Sequence, residues 1–179
     1  MNKLEDTMEE LLKSRIRDVP DFPKPGIVFK DLSPVLQDTA LFNGVIDAFA
    51  DRYASMDIDR IVAVEARGFL YGSALAYRMK KGLGLVRKPG KLPWRTAKHC
   101  YTLEYGEDCL EMHLDAVEPG QRVLIVDDLL ATGGTVNATA KLVQEQGAHV
   151  VEAAFVVELS FLSGRDKLSP VPSWALVRY

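Results

Sequence analysis

The sequence predicts an α/β fold: a mainly parallel, twisted sheet with helices on both faces. Three observations predict it. Short apolar runs, Ile61 to Val64, Val123 to Val126 and Val150 to Val157, suit strands buried on both faces. Helical periodicity fills the stretches between them, and such alternation implies right-handed crossovers onto a parallel sheet. Finally, the 179 residues hold no internal repeat, low-complexity tract or linker, so residues 1–179 are expected to form one domain around a single core.

Each element follows from local pattern. Leu4, Met8, Leu11, Leu12 and Ile16 recur at helical spacing and predict an N-terminal amphipathic helix. Pro20, Pro23 and Pro25 with Gly26 then impose an irregular connection, and Ile27-Val28-Phe29 predicts a short strand. Leu41, Phe42, Val45, Phe49 and Tyr53 mark a second helix. The strand at Ile61 to Val64 leads into a helix from Phe69 to Met79 and a strand from Leu83 to Val86. Lys88 to Lys98 is basic and lacks periodicity. Alternation at Leu103 and Tyr105, and again at Leu110, Met112 and Leu114, predicts an antiparallel ribbon turning at Gly106-Glu107-Asp108. A strand at Val123 to Val126, a helix from about Val136, and strands at Val150 to Val157 and Trp174 to Val177 complete the chain.

Composition removes several function classes. A net charge of −3 argues against a general nucleic-acid binder. No apolar run has the length of a membrane span, and the acidic start lacks the basic and apolar pattern of a secretory signal, so a cytoplasmic setting is expected. Cys100 and Cys109 could pair, but a reducing compartment suggests free thiols. They have no metal-like spacing with His99 or His113, and neither these histidines nor His149 has a triad-like setting.

The chemistry concentrates in Val123-Leu-Ile-Val-Asp-Asp-Leu-Leu-Ala-Thr-Gly-Gly-Thr135. A lone Asp before a helix is usually a cap. Asp127 and Asp128 together, followed by Ala131-Thr132-Gly133-Gly134-Thr135, exceed what capping needs. Backbone N–H groups at a helix start suit a phosphate, and Thr132 and Thr135 can add hydroxyl donors. Gly133 and Gly134 allow positive φ and close approach to a ligand. Ionised carboxylates suit the vicinal hydroxyls of a ribose. Other phosphate motifs fail: there is no Walker loop, and Arg87 stands where Gly82-Leu83-Gly84 would need its third glycine. At the end of another predicted strand, Arg67 in Glu65-Ala66-Arg67-Gly68 offers a fork of donors to a pyrophosphate. Alone it would read as a surface arginine, but it shares the strand-end rim with Asp127 and Asp128.

The segment at 123–135 resembles the signature of the type I phosphoribosyltransferases. Phe22-Pro23-Lys24-Pro25-Gly26-Ile27-Val28-Phe29-Lys30-Asp31, Glu65-Ala66-Arg67-Gly68-Phe69, Arg87-Lys88-Pro89-Gly90-Lys91-Leu92-Pro93 and Leu103-Glu104-Tyr105-Gly106 narrow it to the branch that acts on adenine. The resemblance runs from about Arg15 to the C-terminus. It implies a small N-terminal hood over the sheet, a flexible ribbon loop, and the reaction of adenine with phosphoribosyl pyrophosphate to AMP and pyrophosphate, with Mg²⁺ held mainly by substrate and water.

By the same resemblance, Asp127, Asp128 and Ala131 to Thr135 bind the ribose phosphate. Ala66, Arg67, Arg87, Lys88 and Lys91 bind pyrophosphate, some of the basic residues across a homodimer. The Ala66 loop is a candidate for a cis peptide bond. Val28, Phe29, Lys30 and Leu159 bind adenine, Glu104 manages a proton on the base, and Tyr105 shields the reacting centre. Glu104, Asp127, Asp128 and Arg67 are the expected catalytic set. Lys30 departs from the arginine commoner in the family. Two alternatives stay open: a sister enzyme for hypoxanthine, guanine, xanthine or orotate, and a regulator that binds phosphoribosyl pyrophosphate without turnover.

Overall fold

The central strands are those with unbroken apolar runs. In the computed structural model, which describes residues 3–102 and 107–179, β3 (Arg60–Val64) pairs in parallel with both β4 (Gly82–Arg87) and β7 (Arg122–Leu130). Ile61 to Val64 and Val123 to Val126 are all at most 1% exposed. Burying each such side chain stabilises the fold by about 1.5–3 kcal/mol. β8 (His149–Glu158) and β9 (Ser173–Arg178) extend the parallel sheet from β7. On the other side β4 meets β6 (Glu107–His113), which pairs antiparallel with β5 (Thr96–Thr102). The order is β5-β6-β4-β3-β7-β8-β9.

Between β3 and β7 the winding reverses. From β3 the chain passes through α4 (Gly68–Met79) to β4, and from β7 through α5 (Gly134–Glu145) to β8, in opposite directions along the sheet. Right-handed crossovers of opposite sense place the two helices on opposite faces and open a crevice at the strand ends between them.

The chain forms two compact units, Met1–Ala48 and Phe49–Tyr179, and the sheet lies wholly in the second. The first holds α1 (Lys3–Arg15), a two-stranded ribbon of β1 (Arg17–Pro20) and β2 (Val28–Asp31), and α2 (Ser33–Gln37). α3 (Thr39–Tyr53) starts in the first unit, where the Asp38 carboxylate accepts from the Ala40 and Leu41 N–H groups, and continues into the second. β1 ends on Pro20, the proline that disguised it in the sequence. A short α6 (Gly164–Leu168) also escaped periodicity, being only five residues long.

Three expectations need correction. The signature strand does not stop at Val126. It runs to Leu130, because β8 continues alongside and pairs Asp127 with Phe155 and Leu130 with Glu158. Glu107 and Asp108 of the expected turn are instead strand, opposite Thr102 and Tyr101. Leu103 and Tyr105 of that reading lie outside the described residues. The cysteines are not free thiols. Antiparallel pairing sets Cys100 opposite Cys109 with Cα atoms 4.0 Å apart, and the two form a disulfide. Cross-strand register, invisible in residue spacing, overrode the compositional argument.

Candidate active site

A cleft of about 270 Å³ opens at the carboxyl ends of β3 and β7. Glu65, Ala66 and Arg67 line one wall, and residues 127–136 line the other. Two segments suspected separately thus share one site.

Asp127 and Asp128 alternate across β7. Asp128 is 4% exposed, while Asp127 is partly buried and accepts the Asp128 N–H at 2.9 Å. Burial, reinforced by the charge of Asp128, holds the Asp127 carboxyl well above its ordinary range. Burial also raises Asp128, against the opposing pull of Arg67, whose Nε lies 2.8 Å from Asp128 Oδ2. This is a carboxylate pair short of positive charge. α4 begins directly against it: a Cβ on Gly68 would lie 2.7 Å from Asp127 Oδ1, so only glycine lets the helix start so near.

Beyond β7 the chain turns through Ala131, Thr132 and Gly133 into α5. Gly133 takes φ +79°, as its type allows, whereas Gly134 is already helical; the ring of Tyr101, 3.2 Å from where its Cβ would stand, explains a glycine there. No side chain caps α5, which leaves its first N–H groups and the positive end of its dipole to the cleft.

The peptide bond between Glu65 and Ala66 is cis. Glu65 itself was assigned no role from sequence. Its carboxylate accepts from Arg87 Nε at 2.7 Å through one oxygen and from Lys91 Nζ at 2.7 Å through the other. Burial pushes this carboxyl up, but those bonds and one from the Lys88 backbone hold it below its usual range. Lys88 pairs with Asp108, which also accepts from the Tyr101 hydroxyl at 3.0 Å; that hydroxyl stands 3.2 Å from Thr135 Oγ1. Glu65, Tyr101 and Asp108 are the residues that sequence reasoning missed. A carboxylate next to a cation-rich loop was the available signal for Glu65; Tyr101 and Asp108 depend on strand register.

The base segment lies in the first unit. Val28 is 50% exposed, the Phe29 ring meets Phe22 edge-on at 5.2 Å, and Lys30 Nζ holds Asp18 Oδ1 at 2.6 Å across the ribbon. Leu159, in the second unit, follows β8 and is 9% exposed. Glu104 and Tyr105 lie outside the described residues.

For a cation, the cleft presents only hard oxygen donors, the kind Mg²⁺ prefers. Among the described residues, Cys100, Glu107 and Cys109 form the one group of three His, Cys or carboxylate side chains within reach of a common ion, but both sulfurs are in the disulfide. A larger hollow of about 470 Å³ sits at the amino ends of β3 and β4, the end where open α/β sheets do not place their chemistry. No helix among the described residues is long and apolar enough to cross a membrane.

Residues 32–171 match the model of the phosphoribosyl transferase domain. The adenine phosphoribosyltransferase of Syntrophotalea carbinolica is 55% identical over 170 residues, spanning 95% of this chain and 99% of its own. The crystal structure of the adenine phosphoribosyltransferase of Thermoanaerobacter pseudethanolicus superposes with a TM-score of 0.93 at 53% identity, over 95% of this chain and 99% of that one. The Saccharomyces cerevisiae enzyme, crystallised with adenine and an imino-altritol bisphosphate, gives 0.90 at 40% identity, over 96% and 99%. The chain belongs to the phosphoribosyltransferase family, among its adenine phosphoribosyltransferases.

Proposed function

We propose that this chain transfers the phosphoribosyl group of phosphoribosyl pyrophosphate to adenine, giving AMP and pyrophosphate as a purine-salvage step. The observation that carries this reading is the carboxylate pair, Asp128 buried and Asp127 partly so, set beside an uncapped helix start in one cleft. In the reaction the C–O bond to pyrophosphate breaks and a C–N bond to adenine forms at the anomeric carbon, with loss of one proton from the base.

Backbone N–H groups of Ala131 to Thr135, with the Thr132 and Thr135 hydroxyls, hold the 5′-phosphate. Asp127 and Asp128 grip the ribose hydroxyls, and their negative charge favours the positive charge that grows on the sugar as the leaving group departs. Arg67 and the Ala66 peptide, with Arg87, Lys88 and Lys91, receive the pyrophosphate. Glu65 keeps Arg87 and Lys91 together beforehand. Mg²⁺, bound mainly through the donor's own oxygens and water, would supply positive charge for the leaving group, and Asp127 and Asp128 offer the oxygen donors suited to it. Phe29 stacks on adenine, main-chain groups of Val28 and Lys30 read its edge, Leu159 adds an apolar contact to the base, Glu104 manages its proton, and Tyr105 keeps water from the reacting centre. Orientation and fixed charge supply the rate; no protein nucleophile is used.

Residues 1–179 work as one phosphoribosyltransferase domain, a reading supported by a family match that spans the boundary between the two units. The protein works as a cytoplasmic homodimer. The test offers adenine, hypoxanthine, guanine, xanthine and orotate separately with phosphoribosyl pyrophosphate and Mg²⁺, and follows pyrophosphate release. Release with adenine alone is expected. Turnover with another base in its place assigns the chain to a sister activity, and binding without turnover makes it a regulator.

A further inference from the structure

We propose that Gly164 and the Arg165–Glu158 ion pair are positioning residues that hold the phosphate loop in its binding shape without touching substrate. The proposal rests on the reading that residues 131–135 bind the 5′-phosphate.

The contact is backbone against backbone. A Cβ on Gly164 would run into the Ala131 carbonyl oxygen and come within 3.1 Å of the Gly133 nitrogen. A Cβ on Gly133 would in turn strike the Gly164 carbonyl. No side chain fits on either side, so the first peptide of α6 fixes where the loop can lie.

What fixes α6 is the next residue. Arg165 grips Glu158 with both prongs of its guanidinium, Nε to Oε1 and Nη2 to Oε2, each at 2.6 Å, and its Nη1 donates to the Ser173 carbonyl at 2.6 Å. Glu158 is 4% exposed and sits at the end of β8, in register with Leu130, the residue just before the loop. Both ends of the support are thus anchored to the sheet: Glu158 through β8, and Ser173 through β9. A five-residue helix has little stability of its own. A bidentate charge pair whose carboxylate is buried gives it a defined place.

The loop binds through N–H groups that must converge on one anion, and misplacement by about 1 Å can cost about 10²-fold in such constellations. The test measures binding of ribose 5-phosphate and, separately, of pyrophosphate by calorimetry, in the parent protein and in Gly164→Ala, Arg165→Met and Arg165→Lys. Arg165→Met adds no atoms to the packed contact and leaves Arg178, 3.4 Å from Glu158, to face that charge. It therefore serves even where Gly164→Ala fails to fold. We expect Gly164→Ala and Arg165→Met to weaken ribose 5-phosphate at least about tenfold while pyrophosphate stays within about twofold, and Arg165→Lys to recover part of the loss. Unchanged ribose 5-phosphate binding in both variants, or equal loss of both ligands, overturns the positioning role. A parent protein that binds no ribose 5-phosphate overturns the reading of the loop, and this proposal with it.

Discussion

At the scale of single residues, the decisive feature is that Asp127 and Asp128 are adjacent, poorly hydrated and compensated mainly by Arg67. Asp128→Asn should cut turnover by about 10²–10³-fold, as loss of a fixed charge aimed at the transition state does; near-normal turnover removes its assigned role. The raised proton affinity of the pair has a definite sign. Protons leave at higher pH than from an ordinary aspartate near about 3.9, so kcat/KM for phosphoribosyl pyrophosphate should fall on acidification while the pH is still above that range. In the same window the folded state holds more protons than the unfolded chain, so stability should decline as pH rises through it, and Asp127→Asn should flatten that decline in thermal unfolding. An acid limb at the ordinary carboxylate position would contradict both. Lys30 makes the opposite kind of expectation. Its ammonium is engaged with Asp18, so a base contact through Lys30 uses the main chain. Lys30→Arg should leave the KM for adenine within about twofold, since arginine keeps the charge and the reach; a larger change would mean that the side chain itself reads the base.

Among elements, the β5–β6 ribbon contributes most that residue spacing concealed. Its register joins Cys100 to Cys109 and lines up Tyr101 with Asp108, and Tyr101 then leans on Gly134 at the start of α5. Tyr101→Phe keeps that ring contact and deletes the hydroxyl's links to Asp108 and Thr135. At about 1 kcal/mol net for each of the two hydrogen bonds it should lower Tm by roughly 4–8 °C, read by calorimetry; no shift would mean that solvent replaces both links at no cost. Thiol titration of the unfolded protein should find no free thiol before reduction and two after it. What the sequence disclosed follows from the same physics. Runs such as Ile61 to Val64 declare themselves because a strand buried on both faces must be apolar at every position. Asp127, Asp128 and Arg67 were legible because strand-end chemistry is written in consecutive residues. Glu65 with Lys91, Tyr101 with Thr135, and Gly164 with Gly133 were not, since each joins residues at least 26 positions apart in the chain and only folding specifies such pairs. β1 and α6 were missed because four or five residues are too few to show a period.

For the whole molecule, α4 is the helix that presents an apolar stripe to the outside. This helix starts at the cleft with Gly68 and buries Tyr71, Leu75 and Ala76 against the sheet, yet it leaves Leu70 45% and Tyr77 89% exposed. The two are seven positions apart, two turns along one helix face. Isolated exposed apolar residues are ordinary, but a pair on one stripe beside a functional site is what a second copy of the chain would cover in a two-fold, self-complementary contact. The homodimer proposed above should therefore sediment at twice the 19.9 kDa of one chain. Tyr77→Asp should shift it toward the monomer mass, because a carboxylate buried in that contact would lack a partner. If Tyr77→Asp sediments like the parent, the dimer uses another face. If the parent itself sediments as a monomer at the concentrations of the assay, every basic residue of the pyrophosphate site must act within its own chain, as the pairing of Arg87 and Lys91 with Glu65 allows.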